Sequence, residues 1–472
     1  MEDKKYDLII MGGGAAAFAA SNTANKLKKK TLMINDSKIL PLGGTCVNVG
    51  CVPSKVMLHQ GQEYYYPTHS QFRAIDVKGK ADFVEALKET REMVEFFREK
   101  NYGKVIEHQE YVDFKEGKAR FVDGHTVVVG DETYRGDNIL IATGASTFIP
   151  PIEGIDKIDY LTNVSVFNLR EKPKSMVIFG GGAVAMEFSQ IFNYFGIDVT
   201  VLQRSDRVLS KYDSFIGEEL RKYLEEEGIK IYTGVTTKRV RKTKEGVEFE
   251  VEIKGKEGLE KIVAEKVLLG AGLEAHTKDI GTEKAKVELS KRGFVKTDKY
   301  LQSSQKHIYA AGDVTGLMPL ETIAAKQGNF AVRNMFENAK KTINYEEIPV
   351  AVFTSPEVAT VGIGEEEYMK RYKTCLCRTI EMSHVEKAGA IKDTRGKIRM
   401  VLDHKTNRVV GVHIVAPMAA DIITTATYAI ANKMTPDDIR EIVHVFPTMS
   451  EMIKKVAQSF TANLDDMACC VE

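Results

Sequence analysis

A short apolar run, Tyr6 to Met11, feeds straight into Gly12-Gly13-Gly14-Ala15-Ala16-Ala17, and an Ala-rich helical pattern continues to about Leu27. Strand, Gly-x-Gly-x-x-Ala and helix in that order commit the start of the chain to a βαβ unit that binds a dinucleotide. Gly12 makes the tight turn, Gly14 lets backbone approach a pyrophosphate, and Ala17 lets helix and strand pack closely, with the phosphates at the helix N-terminus. The next strand, Thr31 to Ile34, ends in Asn35-Asp36, where an acid is expected to hold the ribose. Either Asp36 takes that role or Asn35 donates and accepts in its place.

The same grammar returns as Ser175 to Phe179, then Gly180-Gly181-Gly182-Ala183-Val184-Ala185-Met186-Glu187, a helix to about Phe195 and a strand from Val199 to Leu202. Gly180, Gly182 and Ala185 repeat the three small-residue positions, so the chain binds two dinucleotides. Gln203-Arg204-Ser205-Asp206-Arg207 follows, with no acid at the ribose position and two arginines able to pair with a 2′-phosphate. This favours NADPH over NADH; the competing reading makes Arg204 and Arg207 solvated surface charges. Two more runs, Asn138 to Ala145 and His307 to Val314, read as buried strands ending in turns. Asp313 falls at a carboxyl strand end, the edge where open α/β sheets bind ligands, and can accept a hydrogen bond from a ribityl hydroxyl.

Between the first fingerprint and these strands lies Gly43-Gly44-Thr45-Cys46-Val47-Asn48-Val49-Gly50-Cys51-Val52-Pro53-Ser54-Lys55. Two cysteines here can cycle between dithiol and disulfide. A helix N-terminus, Lys55 and exposed backbone amides all lower a thiol pKa. The six cysteines fall into three close pairs, Cys46/Cys51, Cys375/Cys377 and Cys469/Cys470. They are too few to staple a secreted protein of 472 residues, so redox or metal chemistry fits better. Lys+Arg and Asp+Glu are both 66, which leaves no basic field for nucleic acid or an anionic membrane and points to small-molecule partners. No apolar run approaches the roughly 20 residues of a membrane span, and Met1 to Lys5 leads into a strand rather than a signal peptide, so the expected location is the cytoplasm.

On these residues the chain resembles the flavin-dependent pyridine nucleotide-disulfide oxidoreductases along essentially its whole length. The shared order is a FAD fingerprint, a Cys-x-x-x-x-Cys pair with Lys55, Ala-Thr-Gly, a second fingerprint ending in Glu187, Gly-Asp, and a dimerisation domain from near Ile348. The resemblance implies an α/β fold with two Rossmann-like domains, for FAD and NADPH, and a C-terminal α+β dimerisation domain. The expected parts are 1–150 and 276–347 for FAD, 151–275 for NADPH and 348–472 for dimerisation. Gly44, Thr45, Thr143, Gly144 and Ala145 are assigned by resemblance to the FAD site and Gly272 to the nicotinamide nucleotide. Electrons from NADPH are expected to pass through FAD to the disulfide, with Cys51 against the flavin, Cys46 exchanging outside, and Lys55 and Glu187 as an ion pair beside it. The resemblance also implies a homodimer with active sites shared across the interface.

Disulfide-reducing members carry a His-Pro pair followed by Glu, the His acting from the partner subunit as proton donor. Here Phe446-Pro447 stands in that place with Glu451 after it, and His444 reads as a loop residue. The chain ends in Cys469-Cys470-Val471-Glu472, adjacent thiols that select soft metal ions. Together with the Cys46/Cys51 motif this resembles the mercury(II)-reducing branch of the family. Mercury(II) would be the substrate, passed by ligand exchange from Cys469 and Cys470 to Cys46 and Cys51. Tyr160 matches a tyrosine of that branch ahead of the second fingerprint; Thr448 stands where a second tyrosine is usual, and Leu273 follows Gly272 where the family has Arg. The flavin fold begins at about Lys5, so metal capture is expected to rest on the tail. Two alternatives remain: an NAD(P)H-dependent disulfide reductase such as a dihydrolipoyl dehydrogenase working through His444, and a soft-metal sequestering protein without turnover. Cys375 and Cys377, two thiols at sheet spacing without a nearby third ligand, are expected to be packed or surface residues, the basic stretch Lys238 to Lys244 to be solvated, and Tyr64-Tyr65-Tyr66 to pack.

Overall fold

The computed structural model describes residues 4–467. Cys469 and Cys470, and the delivery role expected of them, lie outside the described residues.

Three sheets organise the chain. The first has Lys4–Met11 at its centre, flanked in parallel by Thr31–Asn35 and Glu132–Ile141, with Val112–Glu116 beyond Thr31–Asn35 and Ile308–Ala310 alongside Glu132–Ile141. An antiparallel flap, Ala119–Phe121 and Thr126–Val129, completes it. The strand order explains the chain order: the last parallel strand comes from residues after the second nucleotide unit, so the flavin fold closes around an inserted domain. That insert is a parallel sheet of Lys230–Tyr232, Asp198–Leu202, Ser175–Phe179 and Lys266–Leu269, covered by the antiparallel meander Val235–Thr243, Gly246–Ile253 and Glu260–Ala264. The third sheet is antiparallel, in the order Val350–Val352, Glu357–Gly362, Val409–Ala416, Lys397–Leu402, Leu376–Glu381. Helices Ala419–Ala431 and Glu451–Gln458 cover its apolar face.

The central strands are apolar on both faces, as parallel strands covered by helices must be; Leu8, Ile9, Ile10 and Met11 are all fully buried. Helix Ala15–Lys26 packs on Glu321–Glu337 with almost no space between backbones. A Cβ at Gly328 would lie 2.1 Å from the Ala16 carbonyl oxygen. Gly328→Ala is therefore expected to cost about 1–3 kcal/mol through forced separation of the two helices. Urea unfolding checks this, and an unchanged midpoint would show that the pair can slide apart without loss.

Helix Cys51–Thr68 is the piece that matters for function, and all three parts grip it. Gly61 sits against Tyr194 of helix Ala183–Tyr194 in the inserted domain, where a Cβ would come within 3.0 Å. Lys55 pairs with Glu187 on that same helix at 2.7 Å. Tyr66 bonds the Tyr194 hydroxyl at 3.0 Å and also meets Ser355 Oγ, while Arg395 reaches Tyr66 at 3.3 Å and Glu227 at 3.1 Å. The tyrosine run thus packs as expected, with Tyr66 also bonded into this polar joint. The basic hairpin is solvated as expected, with its charges paired at the surface: Lys238, Arg239, Arg241 and Lys242 meet Glu252, Glu250, Glu248 and Asp159. Cross-strand alternation puts opposite charges face to face there.

Candidate active site

The Gly-rich turns and the cysteine segment enclose one cavity of about 440 Å³. Gly12 has φ +133°, and a Cβ on it would strike the Ala142 carbonyl oxygen at 2.1 Å. Gly44 has φ +66°, and its Cβ would sit 2.7 Å from Gly14 Cα. These two glycines bring the cysteine segment down onto the N-terminus of helix Ala15–Lys26, whose cap, Gly14, offers no side chain to its free amides. Amides left bare at a helix start suit a pyrophosphate. Thr45, Thr143, Gly144, Ala145 and Asp313 line the same cavity. Asp313 receives no side-chain hydrogen bond from a described residue, and burial raises its pKa while His276 opposes the rise. A buried acceptor of this kind suits a polyol hydroxyl, so the residues fit FAD.

Asn35 lies directly under Gly13, which could not carry a Cβ without meeting the amide at 2.6 Å. Its Nδ2 donates to the Leu40 carbonyl at 3.1 Å, tying down the loop beside the ribose position, while Asp36 caps Lys38 N. The second unit repeats this. Gln203 lies under Gly181, and its amide bridges Arg204 N and the Arg207 carbonyl. An amide in both units takes the acid's place and spends its donors on the loop. Gly180 approaches the Gly270 carbonyl, Gly182 is open above, and Ala185 is buried beside Gly270. Gly272 has φ +117° and accepts from Phe148 N at 2.9 Å, beside the two-stranded link of Ala145–Thr147 to Leu273–Ala275. The paired-arginine expectation needs correcting. Arg207 is held by Glu366 at 3.0 Å and by the Tyr212 carbonyl at 3.2 Å, whereas Arg204 is exposed at the strand end.

Cys46 lies in helix Gly44–Val49 and Cys51 is the first residue of Cys51–Thr68. The neighbouring Cys46 and then Lys55 lower the Cys51 pKa, against opposition from desolvation, Glu321 and Glu187. Cys46 is correspondingly pushed well up, first by its bond to Cys51, then by burial and Glu321. Of the two, Cys51 is the sulfur whose surroundings favour the thiolate. Lys55→Met is expected to raise the Cys51 pKa, seen as a later rise of thiolate absorbance when the reduced protein is titrated with base; an unchanged titration would remove Lys55 from this account. Glu187, 7% exposed, holds Lys55 through one oxygen and accepts from Phe353 N at 3.0 Å through the other.

Glu321 is the residue that sequence reasoning missed. Its Oε2 accepts from Cys46 Sγ at 2.8 Å and its Oε1 from the Tyr102 hydroxyl at 3.2 Å. The Cys46, Cys51 and Glu321 ligand atoms all lie within 4.8 Å of one another. No local motif betrays a partner 275 positions away; the one available sign is an acid opening a helix just after the Gly-Asp turn. Tyr160 is the opposite case. It packs, half-buried, against the apolar core of the inserted domain and is not among the residues lining the cysteine cavity. Phe446 is exposed in an apolar stretch with Ile442, Val443 and Val445, His444 reaches the Ile439 carbonyl at 3.4 Å, and Thr448 Oγ1 bonds the Val445 carbonyl.

Two family models match: pyridine nucleotide-disulphide oxidoreductase over residues 6–328, and the dimerisation domain of the same family over 348–457. The chain belongs to the pyridine nucleotide-disulphide oxidoreductase family. It is an oxidoreductase whose cofactors are FAD and NAD(P)H. A mercuric reductase of Staphylococcus aureus is 34% identical over 99% of this chain and 85% of its own length. A dihydrolipoamide dehydrogenase of Chaetomium thermophilum is 32% identical over 96% and 90%. Among solved structures, the Cu(II) complex of the HOCl-induced flavoprotein disulfide reductase RclA from Escherichia coli matches with TM-score 0.87 and 26% identity, covering 97% of this chain and 99% of that one. Among the described residues no helix is long and apolar enough to cross a membrane.

Proposed function

We propose that this oxidoreductase reduces mercury(II) to elemental mercury at the expense of NADPH. The observation that carries the reading is the three-ligand cluster of Cys46, Cys51 and Glu321 at the cavity wall, with Phe446 rather than a proton-donating His at the dimerisation end. Similarity to mercuric reductases along nearly the whole chain supports it. Gly12, Gly14, Thr45, Thr143 and Asp313 would hold FAD along this cavity, where it would supply a pair of electrons taken from NADPH.

The Cys51 thiolate attacks a mercury(II) dithiolate and displaces one carrier thiolate; Cys46 displaces the second. Cys46 must lose its proton to bind, and Glu321 Oε2 is placed to take it and pass it to a departing carrier thiolate; the other takes its proton from solvent. Tyr102 holds the carboxylate in place. Soft thiolates prefer the soft ion over competing divalent metals, and Cys469 and Cys470 deliver it, the tail acting on the partner's site in a homodimer. The exposed apolar stretch 442–446 fits burial against a second subunit. Arg204 favours NADPH over NADH.

NADPH oxidation by the FAD-loaded protein, with mercury(II) and excess small thiol, is expected to proceed with repeated release of mercury vapour. Faster oxidation with lipoamide than with mercury would move the chain to disulfide reduction, and one binding event without turnover would move it to sequestration. Glu321→Gln is expected to slow turnover by on the order of 10²-fold near neutral pH. The deficit should narrow as pH rises, because solvent base then removes the Cys46 proton unaided. A deficit that is absent or the same at every pH would remove Glu321 as a proton carrier.

A further inference from the structure

We propose that Cys375, Cys377 and Glu365 form a second site for a soft, thiolate-preferring cation, separate from the Cys46/Cys51 pair. The three ligand atoms lie within 4.8 Å of one another. Two thiols and a carboxylate gathered within that span suit a soft, thiolate-preferring cation such as mercury(II). The sequence expectation of two thiols without a third ligand is thereby corrected: helix Glu365–Tyr372 brings the carboxylate in from ten positions upstream of Cys375.

The site is built rather than accidental. Cys375 precedes the edge strand Leu376–Glu381, and strand alternation puts Cys375 and Cys377 on one face while Leu376 packs toward the core behind. Arg399 holds Glu365 Oε2 at 2.5 Å, leaving Oε1 to accept from the Cys377 thiol at 3.2 Å. The free oxygen of Glu365 is thus aimed at the sulfurs by its partner. Asp213, whose side chain is fully buried, accepts from the amides of Glu365 and Glu366 and lies 3.9 Å from the same guanidinium. Two carboxylates against one arginine leave a negative field. That field favours a cation once the two thiols give up their protons. Binding is an exchange without electron transfer: the divalent cation plus two thiols gives the dithiolate complex plus two protons released to solvent.

Neither cysteine nor Glu365 lines the flavin cavity. A cation held here receives no electrons and stays oxidised, so the site retains where the other turns over. This does not depend on the mercury-reductase reading, because retention is measured without NADPH.

The test uses full-length, FAD-loaded protein in which Cys46, Cys51, Cys469 and Cys470 are all serine, titrated with mercury(II) against an equimolar small monothiol. One retained equivalent with a sulfur-to-mercury absorbance band is expected. Further change of Cys375→Ser and Cys377→Ser should abolish it, and Glu365→Gln should weaken it by about tenfold. In the otherwise native chain, the Cys375→Ser/Cys377→Ser pair should lower retained mercury by one equivalent and leave NADPH turnover unchanged, with an unchanged thermal transition. Absence of retained mercury in the four-serine protein, or alkylation of the two thiols at the same rate with and without mercury, would overturn the site. A fall in turnover with the thermal transition intact would overturn its separateness.

Discussion

Serine at position 51 is expected to stop turnover, lowering the rate of mercury-dependent NADPH oxidation by at least about 10³-fold, equivalent to about 4 kcal/mol of barrier. The reasoning is local. Cys51 heads an 18-residue helix with Lys55 one turn on, so it is the sulfur whose anion the fold favours. Serine keeps the shape but at neutral pH offers neither an anion nor a soft ligand. Cys46→Ser should be almost as damaging to metal reduction while sparing the Cys51 thiolate. For the same reason activity through Cys51 should decline as pH falls through its lowered pKa. Steady-state kinetics of the two single variants, with FAD content checked, decides the matter. Retention of a tenth or more of native turnover by Cys51→Ser would place the chemistry elsewhere.

Glu187→Ala should be the most damaging single change to stability outside the apolar core. It strips Lys55 of its counter-charge and leaves the Phe353 amide without its acceptor, at a junction of all three domains. Breaking a largely buried pair from one side costs about 3–5 kcal/mol, and the partial exposure of Lys55 puts the expected loss near the lower end. Glu187→Gln should be milder, because an amide oxygen can still accept from Phe353. Chemical denaturation of the three proteins gives the ranking, and equal midpoints for Ala and Gln would mean that only the charge matters. Lys55→Met with Glu187→Met, which removes both charges together, should recover part of the loss.

Much of the fold is legible in the sequence because its determinants are short-range. Gly12, Gly14 and Ala17 act within one strand-turn-helix, and Gly180, Gly182 and Ala185 repeat them. The cysteine pair is legible for the same reason, since a helix start and Lys55 are its neighbours along the chain. What escapes a linear reading is what the fold assembles from afar. Glu321 meets Cys46 only because helix Glu321–Glu337 packs on Ala15–Lys26, and Glu365 meets Cys377 only because the third sheet turns back on itself. Arg204 and Arg207 are near-identical in sequence terms, yet a glutamate in another domain takes one of them. Tyr160 shows the converse, where a matching position in the chain is spent on packing. Spacing describes neighbours along a strand or helix; it carries no information about which distant side chain fills the remaining coordination or hydrogen-bond position.

The grip on helix Cys51–Thr68 sets which parts of the chemistry can travel. A glycine seat on Tyr194, the Lys55–Glu187 pair and the Tyr66 joint leave the Cys51 end of the site as the stator of the machine. Cargo, carrier thiols and protons must therefore do the moving, and discrimination between one incoming ligand and another falls to the rim they cross rather than to any adjustment of the sulfurs themselves.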